Sequence, residues 1–78
     1  MKLSQWLDGD PEFPGVYARR LRDSRQNWFF ARWTGDHWLI GQWSAQAASA
    51  VTEVSKSPNS LFQYRGLAEK PHAIVEDA

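Results

Sequence analysis

The sequence predicts an α+β fold, in which a small antiparallel sheet in the order β-β-β-α-β carries one short helix packed on one face. Three observations predict it. Aromatic-rich segments alternate with turn residues, a Gly-Asp pair joins two of these segments, and a serine precedes an alanine-rich segment with helical periodicity. Because 78 residues leave room for one core, we predict a single domain over residues 1–67.

The tight turn at Gly35-Asp36 is the clearest local signal. Glycine followed by aspartate between two strands is typical of a type II′ hairpin, which requires a positive φ at Gly35. The strand before this turn is predicted over residues 27–34, so the turn places Trp33 opposite Trp38. The same register continues with the pairs Ala31–Ile40 and Trp28–Trp43.

A helix is predicted over residues 45–56, with Ser44 as its N-cap and Pro58 beyond its end. Small apolar side chains recur on one face of this segment, as expected of a helix that lies close to a bulky sheet. This stripe consists of Ala47, Ala50, Val51 and Val54. We expect Ala47 and Val51 to be nearly fully buried against the sheet.

The remaining elements lie nearer the two ends of the sequence. Residues 16–22 and 61–65 are predicted to be the first and last strands. Leu3 and Leu7 are four residues apart with Trp6 between them, which suits one helical turn packed on the core. Residues 68–78 contain a proline and three acidic residues, so we predict a flexible tail there.

Composition and charge restrict the cellular location and the classes of binding partner that we expect. The chain has no cysteine, and no apolar run approaches the roughly 20 residues of a membrane span. No long hydrophobic segment suggests a secretory signal near Met1, so we expect a cytoplasmic protein with no membrane association. The net charge is zero, which argues against general binding of duplex DNA. Residues 19–32 hold five arginines against one aspartate, a basic middle that can orient a charged partner.

Alternation along the strands separates two faces of the sheet. With a four-residue loop between the first two strands, the face of Ala31 and Trp33 also takes Val16 and Ala18, and we assign it to the core under the helix. The other face mixes arginine with aromatic rings. From this face we select six candidate binding residues: Tyr17, Arg19, Trp28, Phe30, Arg32 and Trp43.

Three interpretations of this mixed face stay open. It is a second structural layer with arginine stems over rings, a protein-binding surface, or a surface on which single-stranded nucleic acid stacks its bases. A shift of the first strand by one residue would exchange Tyr17 and Arg19 for Ala18 and Arg20.

The sequence offers no support for catalysis, a cofactor or a metal. His37 falls in the predicted turn and His72 in the tail, so neither is expected to be held for acid–base chemistry. The acidic segment at residues 8–12 lacks the length and terminal glutamate of a calcium loop. No phosphate-binding glycine loop and no nucleophile motif is present. We therefore expect a protein that is not an enzyme.

Three short motifs resemble a pattern in small uncharacterised proteins of bacteriophages and prophages. They are GVY at residues 15–17, WFFARWTGDHW at 28–38 and YRGL at 64–67. Thr34 replaces the aspartate common in that pattern, and Tyr64 replaces a tryptophan. The resemblance covers residues 14–67 and brings no catalytic residues with it.

The resemblance implies an accessory protein that binds and modulates or inhibits a host bacterial protein, for example in a defence system such as a CRISPR complex. The expected function is thus a non-catalytic binding module, either monomeric or homodimeric. The alternative is a small protein that binds single-stranded nucleic acid through its arginine and aromatic residues.

Overall fold

A computed structural model describes residues 3–23, 27–67 and 73–76. The strands are β1 (Gly15–Leu21), β2 (Trp28–Trp33), β3 (Phe62–Arg65) and β4 (Val75–Glu76). One α-helix, α1 (Ala45–Ser49), precedes a 3-10 turn at Asn59–Leu61. The predicted α+β class is confirmed.

Strand β1 lies at the centre of the sheet. It pairs antiparallel with β2 along one edge, while β3 and β4 share its other edge. Residues 73–76, within the predicted tail, are therefore tied to β1: the Ile74 N–H donates to the Val16 carbonyl at 2.7 Å, and Ala73 is buried. The other residues of the predicted tail lie outside the described part of the chain.

The segment around Trp6 is extended, so the predicted helical turn is wrong. Leu3 bridges Leu67, and Leu7 exchanges backbone hydrogen bonds with Tyr64 at 2.7 and 3.0 Å. A single helical turn has a costly nucleus and little stability of its own, whereas the open edge of β3 offers unpaired backbone groups. Pairing with β3 therefore prevails over the local pattern.

The register of β1 against β2 differs by one residue from the prediction. Tyr17 is opposite Ala31 and Arg19 is opposite Phe29, and the last pair before the connection is Arg20 with Trp28. The connection is thus longer than the four residues assumed. A slip of one residue moves every side chain to the other face, so Tyr17 and Arg19 lie on the face of Ala31 and Trp33.

We call this side of the sheet the Tyr17 face, and it carries the aromatic core. The core cluster is Tyr17, Ala31, Trp33, Trp38, Tyr64 and Ala73, with Leu7 and Phe29 packed against it. The rings of Tyr17 and Tyr64 meet edge to face at 5.5 Å, a favoured aromatic geometry. The Tyr17 hydroxyl donates to the Phe13 carbonyl at 2.7 Å, which satisfies the one polar group of this fully buried side chain.

The hairpin prediction is confirmed at its turn. Gly35 has φ +105°, Trp33 bridges Trp38, and their ring centroids are 5.3 Å apart. The Thr34 hydroxyl accepts hydrogen bonds from the backbone N–H groups of Asp36 and His37. Local hydrogen bonding therefore reinforces the turn that the Gly-Asp pair specifies.

The segment after the turn, residues 38–42, pairs with β2 through isolated bridges and is irregular beyond Leu39; we call it the 38–42 segment. The Leu39 N–H donates to the Arg32 carbonyl, but Gln42 pairs with Phe30, so Ala31 faces two residues, Ile40 and Gly41. Two residues opposite one define a β-bulge. The bulge shifts the following register, so the predicted opposition of Trp28 and Trp43 is wrong.

Helix α1 begins as predicted and ends early. The Ser44 side chain caps it by accepting from the Ala47 N–H at 3.1 Å, but the helix stops at Ser49. Residues 53–55 pair with the 38–42 segment instead: Ile40 N–H donates to the Glu53 carbonyl and Ser55 N–H to the Trp38 carbonyl, both at 2.9 Å. The predicted helix over residues 50–56 is therefore wrong.

The predicted helix stripe is also wrong. Ala47 and Ala50 are exposed, Val51 is half-buried and Val54 is 47% exposed, whereas Ala48 is fully buried. Helix α1 contacts β1 and β2, and Ala48 is buried without belonging to the aromatic cluster. The helix thus covers the opposite side of the sheet, the Val16 face, which carries buried Val16, Ala18 and Leu39.

Candidate binding groove

The structure separates the six candidate binding residues. Tyr17 is fully buried in the aromatic core, and Arg19 lies on the same face beneath a groove. Trp28, Phe30 and Arg32 lie on the Val16 face. Trp43 follows the bulge and is 81% exposed at the groove. The predicted set therefore does not form one surface, but Arg19 and Trp43 come together at one site.

The rings of the Val16 face stack with the protein's own arginines. The Arg20 and Arg65 guanidinium carbons lie 4.4 and 4.6 Å from the Trp6 ring centroid, and Arg65 also lies over Trp28 at 5.2 Å. Arg20 further donates to the Gln63 side-chain oxygen at 3.1 and 3.2 Å. Arginine stems over rings are what a structural layer requires. This geometry favours the structural interpretation for that part of the face.

A cavity of about 640 Å³ opens on the Tyr17 face, and we call it the Arg19 groove. Its floor is formed by Arg19, Phe29 and Phe62. One wall is residues 40–43, which contain the bulge, and the other is residues 53–57, which follow the early end of the helix. The bulge and the early end of the helix, neither of which was predicted, therefore create the groove.

Gly41 shapes the wall next to Phe29. A Cβ atom at this position would lie 2.3 Å from Phe29 Cδ2 and 2.5 Å from Cε2, distances that no packed carbon atoms adopt. The absence of a side chain thus lets the Phe29 ring lie directly against the bulged backbone. From there the ring reaches Phe62 on the floor, with centroids 6.0 Å apart and planes at 89°.

Arg19 is the most unusual group at the site. Its side chain is 2% exposed, and its guanidinium carbon lies 4.3 Å from the Trp38 ring centroid and 4.1 Å from that of Phe62. Its Nη2 atom is buried without a hydrogen-bond partner in the structure. Burial lowers the pKa of Arg19 to about 10, and the nearby charge of Asp10 opposes this shift. Arg19 is therefore cationic at neutral pH although one of its donors is unsatisfied.

Unsatisfied donors are rare in protein interiors because a buried polar group without a partner destabilises the fold by about 1–3 kcal/mol. The two flanking rings compensate for part of this by cation–π attraction, but a ring face does not replace a hydrogen-bond acceptor. The floor of the groove thus holds a positive charge with unused hydrogen-bonding capacity.

The rim of the groove is apolar and exposed. Trp43 projects into solvent, and Ile40 is 39% exposed. Lys56 and Glu53 add one charge of each sign to the second wall. The groove thus combines an exposed tryptophan with a buried arginine, two of the residue types enriched in interface hot spots.

The described residues show no cluster of side chains typical of a metal site. No group of three histidine, cysteine, aspartate or glutamate side chains within them could hold a metal ion. His37 is exposed in the turn, and His72 lies outside the described residues. Within the acidic segment, Asp8 forms a salt bridge with Arg22 at 2.9 Å, and Asp10 accepts a hydrogen bond from the Asn59 side chain. These carboxylates thus link the segment before β1 to the sheet.

No protein family, curated protein or solved structure matches this chain. Within the described residues, no helix is long and apolar enough to cross a membrane.

Sequence reasoning missed most of the groove. It assigned residues 53–56 to a helix and Ile40 to the core, although two signals pointed elsewhere. Valine and threonine at positions 51, 52 and 54 are β-branched and favour extended structure. Glycine at position 41, within a strand pattern, is typical of a bulge or a close backbone approach.

Proposed function

We propose that this protein is a non-catalytic binding module whose Arg19 groove binds a protein partner. One observation carries the proposal: a largely exposed Trp43 stands beside a cavity whose floor is a buried, incompletely bonded arginine. Tryptophan and arginine are the residues most enriched in interface hot spots, where rigid rings and directional donors give affinity at low entropic cost.

The sequence resemblance supplies the proposed biological setting. In it, the protein is an accessory protein of a bacteriophage or prophage, acts in the cytoplasm of the bacterial host, and modulates or inhibits a host protein such as a component of a defence system. The groove is consistent with such a role because it presents a concave surface for a partner's side chains.

Single-stranded nucleic acid is the alternative partner, and the geometry favours it less. The ring centroids of Trp28 and Phe30 lie 5.4 Å apart, and Arg65 lies over the Trp28 ring. These side chains therefore pack against one another within the protein. The groove combines Arg19 and Lys56 with Glu53, whereas a groove that tracks a phosphate backbone is uniformly basic.

The test starts with capture of partners from a bacterial lysate on the immobilised protein, followed by calorimetry on the purified pair. We expect Trp43→Ala to weaken binding about 30-fold, the loss typical of a hot-spot residue. Ile40→Ala is expected to weaken it less. The matched control is Leu61→Ala, since Leu61 is 52% exposed and does not line the groove.

Three results would contradict the proposal. Equal binding by Trp43→Ala and the parent would remove the groove from the interface, and Trp28→Ala and Arg32→Glu would then test the Val16 face. Capture that is abolished by nuclease and falls steeply with salt would identify nucleic acid as the partner. If no protein captured from the lysate binds the purified chain in calorimetry, the result would argue against a binding module. Circular dichroism confirms that each variant is folded.

A further inference from the structure

The charge at the floor of the Arg19 groove indicates which chemical group on a ligand would fit there. Arg19 is cationic, 2% exposed, and pairs with no carboxylate among the described residues. Its Nη2 donor has no acceptor within hydrogen-bonding distance. A ligand that supplies an anionic acceptor would satisfy this donor and neutralise the charge in one contact, and charge-assisted hydrogen bonds are the strongest available.

We propose that the Arg19 groove binds a glutamate side chain of the protein partner, next to an apolar residue that packs against Trp43. This inference rests on the proposed function and adds the chemistry of the partner. Within the lining of the groove Lys56 and Glu53 cancel each other, and Asp10, whose charge acts on Arg19, forms no ion pair with it, so Arg19 sets the preference for an anion.

A carboxylate fits this groove better than a phosphate group. Phosphate carries nearly two charges and is held by several donors, whereas the buried orphan donor of this groove is the single Nη2 group. Glu53 on the wall also repels a dianion more strongly than a monoanion. The exposed apolar side chains of Ile40 and Trp43 favour an acid attached to a hydrophobic segment.

The depth of Arg19 explains the choice of glutamate over aspartate. The guanidinium lies beneath the rim, between the rings of Trp38 and Phe62, and its Nη2 atom is covered in the free protein. The acid therefore needs the longer stem, and docking includes movement of the half-buried Phe62 ring away from the guanidinium. The buried Trp38 ring stays in place beneath it.

The experiment uses the full chain and two end-blocked peptides, acetyl-Ala-Leu-Glu-Leu-Ala-amide and the same peptide with glutamine in place of glutamate. Binding is followed by NMR at the Trp43 indole N–H and the Arg19 Nε–H. We expect saturable shifts at both groups with the glutamate peptide and at least about tenfold weaker binding of the glutamine peptide, the loss typical of a missing charged hydrogen bond. Inorganic phosphate is the third probe and is expected to bind more weakly than the glutamate peptide.

The variants separate binding from structure. Arg19→Met keeps a long side chain between the rings and removes the charge, so we expect it to abolish the preference for glutamate. Because the substitution also removes an unsatisfied buried donor, its thermal stability is expected to equal or exceed that of the parent. Arg22→Met is the control, since Arg22 is exposed and lies outside the groove.

The comparison of the two peptides on the parent protein decides the question even if Arg19→Met fails to fold. Equal binding of both peptides, no shift at either reporter, or tighter binding of phosphate would each overturn the inference. If the captured protein partner still depends on Trp43 in any of these cases, the proposed function stands without the glutamate. Loss of the Trp43 dependence would instead refute the proposed function.

Discussion

Replacing Gly41 with alanine tests the bulge that forms one wall of the Arg19 groove. The new methyl carbon would lie 2.3 Å from Phe29 Cδ2 and 2.5 Å from Cε2, so either the ring or the bulged backbone has to move. The Phe29 ring is half-buried and packs edge to face against Phe62, which leaves it little room for retreat.

The expected magnitude follows from two opposing effects. Overpacking of this kind destabilises a protein by about 1–3 kcal/mol. Alanine also reduces the conformational entropy of the unfolded chain, which stabilises the fold by about 0.4–1 kcal/mol. We therefore expect Gly41→Ala to lower the free energy of unfolding by about 1–2 kcal/mol. For a domain of this size that corresponds to a Tm lower by about 5–15 °C.

The assay is thermal and urea unfolding of four proteins in a double-mutant cycle: the parent, Gly41→Ala, Phe29→Leu and the double variant. If the clash with the ring is the cause, the cost of Gly41→Ala falls below about 0.5 kcal/mol in the Phe29→Leu background, because residues in contact are energetically coupled. Gly9→Ala is the control, since Gly9 has φ +86° and no atom near its missing Cβ. The destabilisation caused by Gly9→Ala is expected to be the same in the parent and in the Phe29→Leu background. An unchanged Tm for Gly41→Ala, or a cost that persists without the ring, would refute this reasoning.

Three further predictions concern the turn, the helix and a buried phenol. Gly35→Val is expected to destabilise the fold by more than about 1 kcal/mol in urea unfolding, because φ +105° is strained for a β-branched residue; an unaffected midpoint would contradict the turn geometry. Ala48→Trp is expected to destabilise the fold by at least about 1–3 kcal/mol in the same assay, whereas Ala47→Trp is expected to be tolerated. A larger destabilisation by Ala47→Trp than by Ala48→Trp would contradict the assignment of the buried face of α1. The pKa of Tyr64 is raised by burial and by the charges of Asp10 and Glu12, so the Tyr64 phenol stays protonated to a higher pH in the folded protein than in the unfolded chain. The stability that this difference contributes is therefore present below about pH 10 and is lost as pH rises through the folded pKa, and stability above pH 10 is expected to fall less in Tyr64→Phe than in the parent. Absorbance titration at the phenolate band measures the shift directly, and an ordinary phenolic titration for Tyr64 would rule it out.

Local signals predicted local structure well. The turn at Gly35-Asp36 and the cap at Ser44 are stabilised by contacts within a few residues of each signal, so the sequence around them contains the whole cause. The β1–β2 register has no such local cause. Alternate residues of β1 are Val16, Ala18 and Arg20 on one side and Tyr17, Arg19 and Leu21 on the other, and both sets mix apolar side chains with arginine.

The two ends of the predicted helix show the same contrast. Ser44 starts the helix through its own side chain, but the helix ends because residues 53–55 find hydrogen-bond partners on the bulged 38–42 segment. That partner surface exists only after the sheet has formed. Arg19 and Trp43 were predicted to lie on the face opposite the core, whereas the register shift and the bulge place both at the groove on the Tyr17 face, which no local pattern could specify.

The central position of β1 has a consequence for synthesis of the protein. Its edge opposite β2 is completed by β3 and, at Gly15 and Val16, by β4, which comes from residues 75 and 76. During translation the β1–β2 hairpin can form early, and β3 then covers the second edge from Ala18 to Leu21, but Gly15 and Val16 stay open on that side until β4 has left the ribosome. Contacts this distant in sequence slow folding, and an open strand edge is a template for intermolecular pairing. A chain cut before β4 would therefore expose backbone at the centre of its own sheet, and aggregation is the fate we expect for such truncated products.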